Sequence, residues 1–216
     1  MTHAYIYVGG EVDATNITER PTGEDLVIAA DSGYDNACAL GVAPTILVGD
    51  MDSIKEKKLP DGVETHRLPT EKDVTDTQFA TELALERGAK EITVIGGLSG
   101  RLDHTLSNLG LLERLCDAGV HALMTDGQSR VRILRNDSAL ILKSDYRYLS
   151  LLVLDKEAKG VEVKGCKYPL DKKKLTRTNQ YAVSNEIEGN CAFISVKKGT
   201  LYIIESKDKE ASYGAN

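Results

Sequence analysis

Apolar residues in the first 128 positions fall into short, uninterrupted runs, and stretches with helical spacing separate several of these runs. A strand without polar alternation is buried on both faces, as in a parallel sheet that is covered by helices. The pattern therefore predicts an α/β domain with a parallel, Rossmann-like sheet. The predicted strands are 4–10, 25–30, 45–48, 64–68, 92–95 and 121–125, and the predicted helices are 34–40, 73–87 and 102–119.

The pattern changes after residue 128, where short runs rich in β-branched residues alternate with turn residues and no helical spacing intervenes. Such a succession predicts an all-β sandwich or jelly roll. We therefore expect two domains, 1–128 and 129–216, and we expect Lys172, Lys173 and Lys174 in a solvated turn of the second. The predicted strands are 130–136, 139–143, 148–154, 161–164, 192–196 and 201–205.

The composition of the 216-residue chain is that of an ordinary globular protein, with 41% hydrophobic and 28% charged residues. A net charge of −6 argues against a non-specific nucleic-acid surface. No apolar run approaches the roughly 20 residues that a membrane-spanning helix needs, so we expect no membrane partner. Cys38, Cys116, Cys166 and Cys191 stand apart from each other and from histidine clusters, which predicts free thiols in the cytoplasm rather than a zinc site.

Acidic residues follow the predicted strands at their carboxyl ends, where open parallel sheets bind ligands. Asp31 follows the second strand, and Asp50 and Asp52 follow the third. Residues i and i+2 of an extended chain point to the same side, so these last two carboxylates can reach one hard cation. Asp76 lies in the first turn of the next helix and faces the same edge. Each aspartate alone fits a turn or a helix cap, but their convergence favours a metal site.

A glycine-rich loop follows the fifth predicted strand and leads into Arg101, Asp103 and His104. Loop amides, such as those around Gly97, and an arginine fork together suit a phosphate group. The loop is not a Walker A sequence, because no Gly-Lys-Ser/Thr follows it. For His104 and Lys72, a ligand contact and a purely structural or surface role both remain open.

Five short motifs occur in order along nearly the whole chain, to about residue 205. They are Ala-Asp-Ser-Gly (30–33), Gly-Asp-x-Asp-Ser (49–53), Lys-Asp-x-Thr-Asp (72–76), Gly-x-x-Gly-Arg-x-Asp-His (97–104) and Ser-Asn-Glu (184–186). Read alone, the last of them is a turn. In this order and spacing, however, the motifs closely resemble those of the thiamine pyrophosphokinase family.

The resemblance implies an enzyme that transfers the pyrophosphoryl group of ATP to the hydroxyl of thiamine, giving thiamine diphosphate and AMP. It implies an N-terminal domain that binds ATP and Mg²⁺, a C-terminal domain that helps to bind thiamine, and a homodimer that completes the thiamine site.

The resemblance also implies roles for individual residues. Asp50, Asp52 and Asp76 would hold Mg²⁺, with Asp31 and Asp103 nearby. Lys72 and Arg101 would meet phosphates, and Ser184 and Asn185 would contact the aminopyrimidine ring, while Asp73, Gly97 and His104 complete the predicted ligand-binding set. The predicted catalytic set is Asp50, Asp52, Asp76 and Asp103. Either Asp76 or Asp103 would accept the proton of the attacking hydroxyl, because a primary alcohol is a weak nucleophile at neutral pH.

Two alternatives and one departure from the family accompany this interpretation. The chain could be a sensor that binds thiamine or nucleotide without turnover, or a magnesium-dependent enzyme of the same fold that acts on another alcohol, such as a pterin. Some family members place a tryptophan against the thiamine ring, and this chain has no tryptophan. Tyr146 or Tyr148 is the expected substitute.

Overall fold

The computed structural model describes residues 2–50, 62–68 and 74–208. Contacts between residues divide the chain into two units, Met1–Gly127 and Gln128–Asn216. Three of the predicted site residues, Asp52, Lys72 and Asp73, lie outside the described residues.

The described residues of the first unit form six parallel strands in the order β4-β3-β2-β1-β5-β6. The chain builds outward from β1 to β4 and then returns to place β5 on the other side of β1, so the topology switches direction between β1 and β5. This pairing confirms the predicted parallel sheet and its helical connections. The elements are β1 (Thr2–Tyr7), β2 (Leu26–Ala30), α1 (Gly33–Ala39), β3 (Ile46–Gly49), β4 (Glu64–Arg67), α2 (Asp76–Glu86), β5 (Ala89–Ile95), α3 (Leu102–Asp117) and β6 (His121–Thr125).

Helix α2 shows how local sequence sets the element ends in this unit. Thr75 caps its N-terminus, and the Thr75 side chain accepts a hydrogen bond of 3.1 Å from the Gln78 backbone N–H. Gly88 follows the end of the helix in a left-handed conformation, with φ +81°, which glycine adopts at little energetic cost. No helix in the described part of the chain is both long and apolar enough to cross a membrane.

In the second unit, residues 128–208 form seven strands in two antiparallel groups, β7-β13-β9 and β11-β10-β12-β8. Side chains from both groups meet in one core, in which Ala158, Val161, Ile194 and Leu201 are fully buried. The chain is thus a mixed α/β protein with a parallel sheet and antiparallel sheets. The strands are β7 (Ser129–Arg135), β8 (Ser138–Leu142), β9 (Tyr148–Val153), β10 (Glu157–Lys164), β11 (Leu170–Thr176), β12 (Cys191–Lys198) and β13 (Thr200–Ser206).

The predicted solvated turn at Lys172, Lys173 and Lys174 is wrong, because these residues belong to strand β11. Strand β11 ends its sheet, so its lysines extend into solvent while its backbone still pairs with β10. Leu175, 1% exposed, anchors the strand in the core, and Glu157 holds Lys174 at 2.9 Å. Side-chain patterning misses such a strand because backbone pairing, not apolar alternation, builds it.

Candidate active site

A cleft of about 330 Å³ opens at the carboxyl ends of β1, β2 and β5 in the first unit. Its position coincides with the switch in strand order between β1 and β5, where doubly wound sheets leave a crevice for ligands. The beginnings of α2 and α3 close its other side, and helix beginnings favour negative charge. The lining residues are Val8, Gly9, Gly10, Ala30, Asp31, Ser32, Thr75, Asp76, Thr77, Gly97, Ser99, Gly100, Arg101, His104 and Asn108.

Two glycine loops, one after β1 and one after β5, interlock at the floor of this cleft. The Gly97 N–H donates to the Gly9 carbonyl at 3.1 Å. The Ser99 hydroxyl accepts from the Glu11 N–H at 2.7 Å and lies 3.1 Å from the Glu11 carbonyl, to which it donates. A side chain at Gly10 would come within 2.8 Å of the Ser99 oxygen, so the close approach requires glycine there.

Two asparagines that the sequence reasoning missed fasten these loops to the helices. Asn36 of α1 donates from Nδ2 to the carbonyls of Val8 and Gly10, at 2.8 and 3.0 Å. Asn108 of α3 is buried and donates from Nδ2 to the Gly97 carbonyl at 3.1 Å. The only signal in the sequence was the presence of an asparagine in each of these predicted helices. A buried amide needs a hydrogen-bond partner, so both were candidates for such a contact. The loops are therefore held in place without a ligand.

Asp31 takes the position just past β2 that the sequence analysis predicted. Its backbone is left-handed, with φ +48°, its N–H donates to the Val48 carbonyl at 2.9 Å, and its carbonyl accepts from the Tyr34 N–H at 3.1 Å. The Oδ1 atom is buried against the backbone of Gly49, where a side chain would collide with the carboxylate. Asp50 follows directly, so the acidic groups of β2 and β3 meet at one edge.

The described part of the predicted metal set consists of Asp50, just past β3, and Asp76, the first residue of α2. Asp76 lines the cleft, and half-buried Asp31 supplies a further carboxylate there. Carboxylate oxygens are the donors that Mg²⁺ prefers, so the chemistry of this set fits that ion. Among the described residues, no three histidine, cysteine or acidic side chains gather as a ready ligand group.

Arg101 and Asp103 form a two-pronged ion pair at the start of α3. The Arg101 Nε and Nη2 atoms lie 3.1 and 2.5 Å from the two carboxylate oxygens, and both side chains are mostly exposed. The Arg101 hydrogen bonds and the backbone N–H of His104 lower the pKa of Asp103. Arg101 lines the cleft and Asp103 does not. A carboxyl group with a lowered pKa is a weaker proton acceptor, so this ion pair argues against Asp103 in that role.

The other two predicted residues, Ser184 and Asn185, lie in the second unit. Asn185 is buried, and its amide joins two segments: Oδ1 accepts from the N–H groups of Tyr168 and Glu186 at 3.0 Å each, and Nδ2 donates to the Tyr168 carbonyl at 2.8 Å. Ser184 is exposed and left-handed, with φ +55°, and its N–H donates to the Ser150 hydroxyl at 3.0 Å. Because the residue is exposed, a ligand can reach it.

An apolar cavity of about 90 Å³ lies beside these two residues. Tyr168 and Tyr181, 59% and 51% exposed, stand at it. Sequence reasoning named Tyr146 or Tyr148 instead, but Tyr146 is buried beneath Arg130, whose guanidinium lies 4.3 Å from the ring centroid. The cavity is lined by Leu149, Leu151, Val163, Tyr168, Leu170, Tyr181, Ala182, Val183 and Asn185.

A parallel α/β unit with a glycine-lined, acid-bearing cleft at its switch point is typical of ligand-binding α/β proteins. Comparison with known proteins narrows the class. A family model described as "Thiamin pyrophosphokinase, catalytic domain" matches residues 21–124, and one described as "Thiamin pyrophosphokinase, vitamin B1 binding domain" matches residues 137–201. Together the two matches cover well over half of the chain. The chain belongs to the thiamin pyrophosphokinase family.

Individual relatives agree with this membership along most of the chain. Thiamine pyrophosphokinase of Bacillus subtilis (strain 168) is 29% identical over 201 residues, which are 91% of this chain and 92% of the relative. Thiamin pyrophosphokinase 1 of Caenorhabditis elegans is 27% identical over 171 residues, 75% of this chain and 70% of the relative. A crystal structure of thiamine pyrophosphokinase from Bacillus subtilis has a TM-score of 0.86 at 27% identity, covering 96% of this chain and 100% of that chain.

Proposed function

We propose that this enzyme transfers the pyrophosphoryl group of ATP to the hydroxyl group of thiamine, which yields thiamine diphosphate and AMP. The observation that carries the proposal is the match to both domains of one pyrophosphokinase family, together with a cleft at the switch between β1 and β5. In the reaction the thiamine oxygen bonds to the β-phosphorus of ATP. The bond from that phosphorus to the oxygen shared with the α-phosphate breaks, and AMP leaves.

The cleft of the first unit is suited to the triphosphate. Its fixed glycine loops leave room for a ligand to approach the backbone closely, and Arg101, at its rim, can exchange its Asp103 partner for a phosphate with the same two-pronged geometry. Lys72, Asp73, His104 and Asp31 complete the proposed ATP site. Asp50, Asp52 and Asp76 would hold Mg²⁺, which when bound offsets the charge that develops on the phosphates.

Asp76 is our candidate for accepting the hydroxyl proton. It lines the cleft and begins a helix, whereas Asp103 is held in an ion pair by Arg101. Asp103 instead positions Arg101 in the absence of phosphate. In this proposal Asp76 and Asp103, which belong to two different motifs, have different roles.

The second unit is suited to the aromatic part of thiamine. The exposed Ser184 hydroxyl can bond the aminopyrimidine ring, while Asn185 acts through the backbone of Tyr168, which it holds in place. Tyr181 and Tyr168 offer ring faces at the cavity in the place of a tryptophan. We accordingly assign ATP and Mg²⁺ to a Rossmann-like domain at 1–128 and thiamine to a β-sandwich domain at 129–216.

The proposal extends to the assembly and location of the enzyme. We propose a homodimer, in keeping with the family resemblance, and a cytoplasmic location. The four free cysteines, Cys38, Cys116, Cys166 and Cys191, support a reducing compartment.

The test is AMP release from Mg-ATP with and without thiamine. We expect thiamine-dependent AMP that is matched one to one by thiamine diphosphate. ADP as the product would mean attack at the γ-phosphorus and would contradict the proposal. Tight thiamine binding without AMP would indicate a sensor, and a higher rate with a pterin alcohol than with thiamine would indicate another substrate.

A further inference from the structure

Two pairs of adjacent residues in the second unit each combine a basic side chain with a tyrosine. In Arg147-Tyr148, at the start of β9, the Arg147 guanidinium carbon lies 5.1 Å from the centroid of the Tyr148 ring. In Lys167-Tyr168, between β10 and β11, the Lys167 Nζ atom lies 5.7 Å from the centroid of the Tyr168 ring. The face of an aromatic ring attracts a cation at such distances. Of the two tyrosines, Tyr168 is the one that lines the apolar cavity.

The carboxylate of Glu186, the last residue of the Ser-Asn-Glu motif, joins the two pairs. Its Oε1 atom lies 3.4 Å from Lys167 Nζ, and its Oε2 atom lies 3.7 Å from Arg147 Nε. The Glu186 carbonyl also accepts a hydrogen bond of 2.9 Å from the Lys167 N–H, so the two residues meet through backbone and side chain. Each carboxylate oxygen thus faces a cation of the protein, and Glu186 is not among the residues that line the cavity.

The two cations depend on Glu186 to different degrees. Arg147 has a second and closer carboxylate, because its Nη1 atom lies 2.6 Å from Oδ2 of Asp208. Across the described ranges of the chain, Glu186 is the only acidic partner of Lys167. A lysine side chain has many rotamers, so the position of its ammonium group over a ring depends on such a pair. Loss of the Glu186 charge would therefore leave Arg147 paired and would release Lys167.

Asn185 already fixes the backbone of Tyr168 but not its ring. The Asn185 amide bonds both the N–H and the carbonyl of Tyr168, at 3.0 and 2.8 Å. These bonds leave rotation of the side chain open, and Tyr168 is 59% exposed. The Lys167 ammonium over the ring supplies a restraint that the backbone cannot. Asn185 and Glu186 therefore act on the same tyrosine, one through its backbone and the other through its neighbour.

We infer that Glu186 is a positioning residue of the thiamine site, which holds Lys167 over the Tyr168 ring and so fixes that ring at the cavity. The inference rests on the proposed function, because it takes the cavity as the place of the aromatic part of thiamine. A ring that is fixed in advance binds a flat ligand at a lower entropic cost than a mobile ring. The three residues of the Ser-Asn-Glu motif then have separate tasks: Ser184 meets the ligand, and the other two hold Tyr168.

The test compares the full-length chain with its variants by isothermal titration calorimetry of thiamine and by the KM values for thiamine and Mg-ATP. We expect Glu186→Gln to raise the dissociation constant and the KM of thiamine about fivefold, which is the scale of one partly exposed ion pair. The kcat and the KM for Mg-ATP should not change.

Glu157→Gln is the matched control. The Glu157 carboxylate also lies between two cations, Lys159 at 2.7 Å and Lys174 at 2.9 Å, and its side chain is 33% exposed, against 32% for Glu186. Glu157 does not line the cavity and contacts neither tyrosine pair. The control should therefore leave thiamine binding unchanged.

A double-mutant cycle with Lys167→Met separates positioning from direct contact with the ligand. Lys167→Met alone should weaken thiamine binding as Glu186→Gln does, and adding Glu186→Gln to it should have no further effect. A further loss in the Lys167→Met background would mean that Glu186 does not act through Lys167, and it would overturn the inference. Unchanged binding by Glu186→Gln, or an equal loss in Glu157→Gln, would overturn it as well.

Two measurements keep this result separate from the proposed function. Circular dichroism checks that each variant is folded, and AMP release is followed for the wild-type chain. Thiamine binding without AMP release would refute the proposed reaction and leave the cycle intact. A wild-type chain that binds no thiamine would refute both the proposed function and the role of Glu186.

Discussion

Replacing Gly49 with alanine tests whether the position of the Asp31 carboxylate matters for catalysis. Gly49 ends β3 with φ +131°, and an added methyl group would lie 2.7 Å from Cγ of Asp31 and closer still to Oδ1. Ordinary contacts of such a methyl group begin near 3.4 Å. Because Oδ1 would lie only 1.8 Å from the methyl group, it must move by roughly 1.6 Å, and a displacement on the scale of 1 Å can cost about a hundredfold in rate.

The same substitution also strains the backbone, because side chains are disfavoured at this φ, by about 1–3 kcal/mol. A domain with an unfolding free energy of about 5–15 kcal/mol remains folded after that loss. We therefore expect Gly49→Ala to be folded and modestly destabilised, with kcat/KM for Mg-ATP about 10–100-fold lower.

Gly88→Ala is the matched control for the backbone effect. Gly88 is also left-handed, at φ +81°, but no atom lies within 4 Å of the position that its methyl group would take. We expect a loss of about 1 kcal/mol in urea unfolding and unchanged AMP release per folded molecule. Full activity of folded Gly49→Ala would refute the assignment of Asp31 to the site.

Three further predictions follow from other contacts. Tyr7 is fully buried, its hydroxyl has no partner among the described residues, and burial raises its pKa to about 12, so Tyr7→Phe should add about 1 kcal/mol to the unfolding free energy. The folded state holds this proton more tightly, so the unfolding free energy of the wild type should fall between pH 10 and 12, by at most about 1.4 kcal/mol per pH unit. Tyr7→Phe should lack this contribution to the pH dependence. Equal slopes for the two proteins would contradict the role of the Tyr7 hydroxyl. Asp76→Asn should abolish AMP release while Asp103→Asn retains part of it, and the reverse order would move the proton acceptor to Asp103. Ser184→Ala should raise the KM for thiamine more than that for ATP, whereas equal changes would make Ser184 a purely structural turn residue.

Much of the first unit could be predicted from sequence because each buried strand leaves an uninterrupted apolar run. The strand ends then follow, and with them the positions of Asp31 and Asp50 at one edge. The hydrophobic pattern could not predict which loops contact each other. Asn36 and Asn108 are ordinary polar residues within helices, and only the fold brings their amides to the glycine loops.

The candidate site of the second unit was harder to predict from sequence because its contacts join segments that are far apart in the chain. Tyr168 precedes the Ser-Asn-Glu motif by 16 residues, yet the Asn185 amide forms hydrogen bonds with both its N–H and its carbonyl group. The sequence alone could not show which tyrosines lie beside the motif, and the choice of Tyr148 for the thiamine ring stays a prediction. The lysines of β11 led to the wrong prediction of a turn, because their local composition resembles that of a turn.

The distribution of charge constrains how an anionic substrate could be held. Ten basic and 22 acidic residues precede Gln128, whereas 17 basic and 11 acidic residues lie from Gln128 onward. The unit that bears the cleft is thus strongly negative, and its long-range field repels a triphosphate. Binding must then come from groups in direct contact: loop amides, the two helix beginnings, the Arg101 fork and a cation held by carboxylates. Direct contacts act over a few ångströms and depend on fixed geometry, which is why the interlocked glycine loops matter as much as the charged residues.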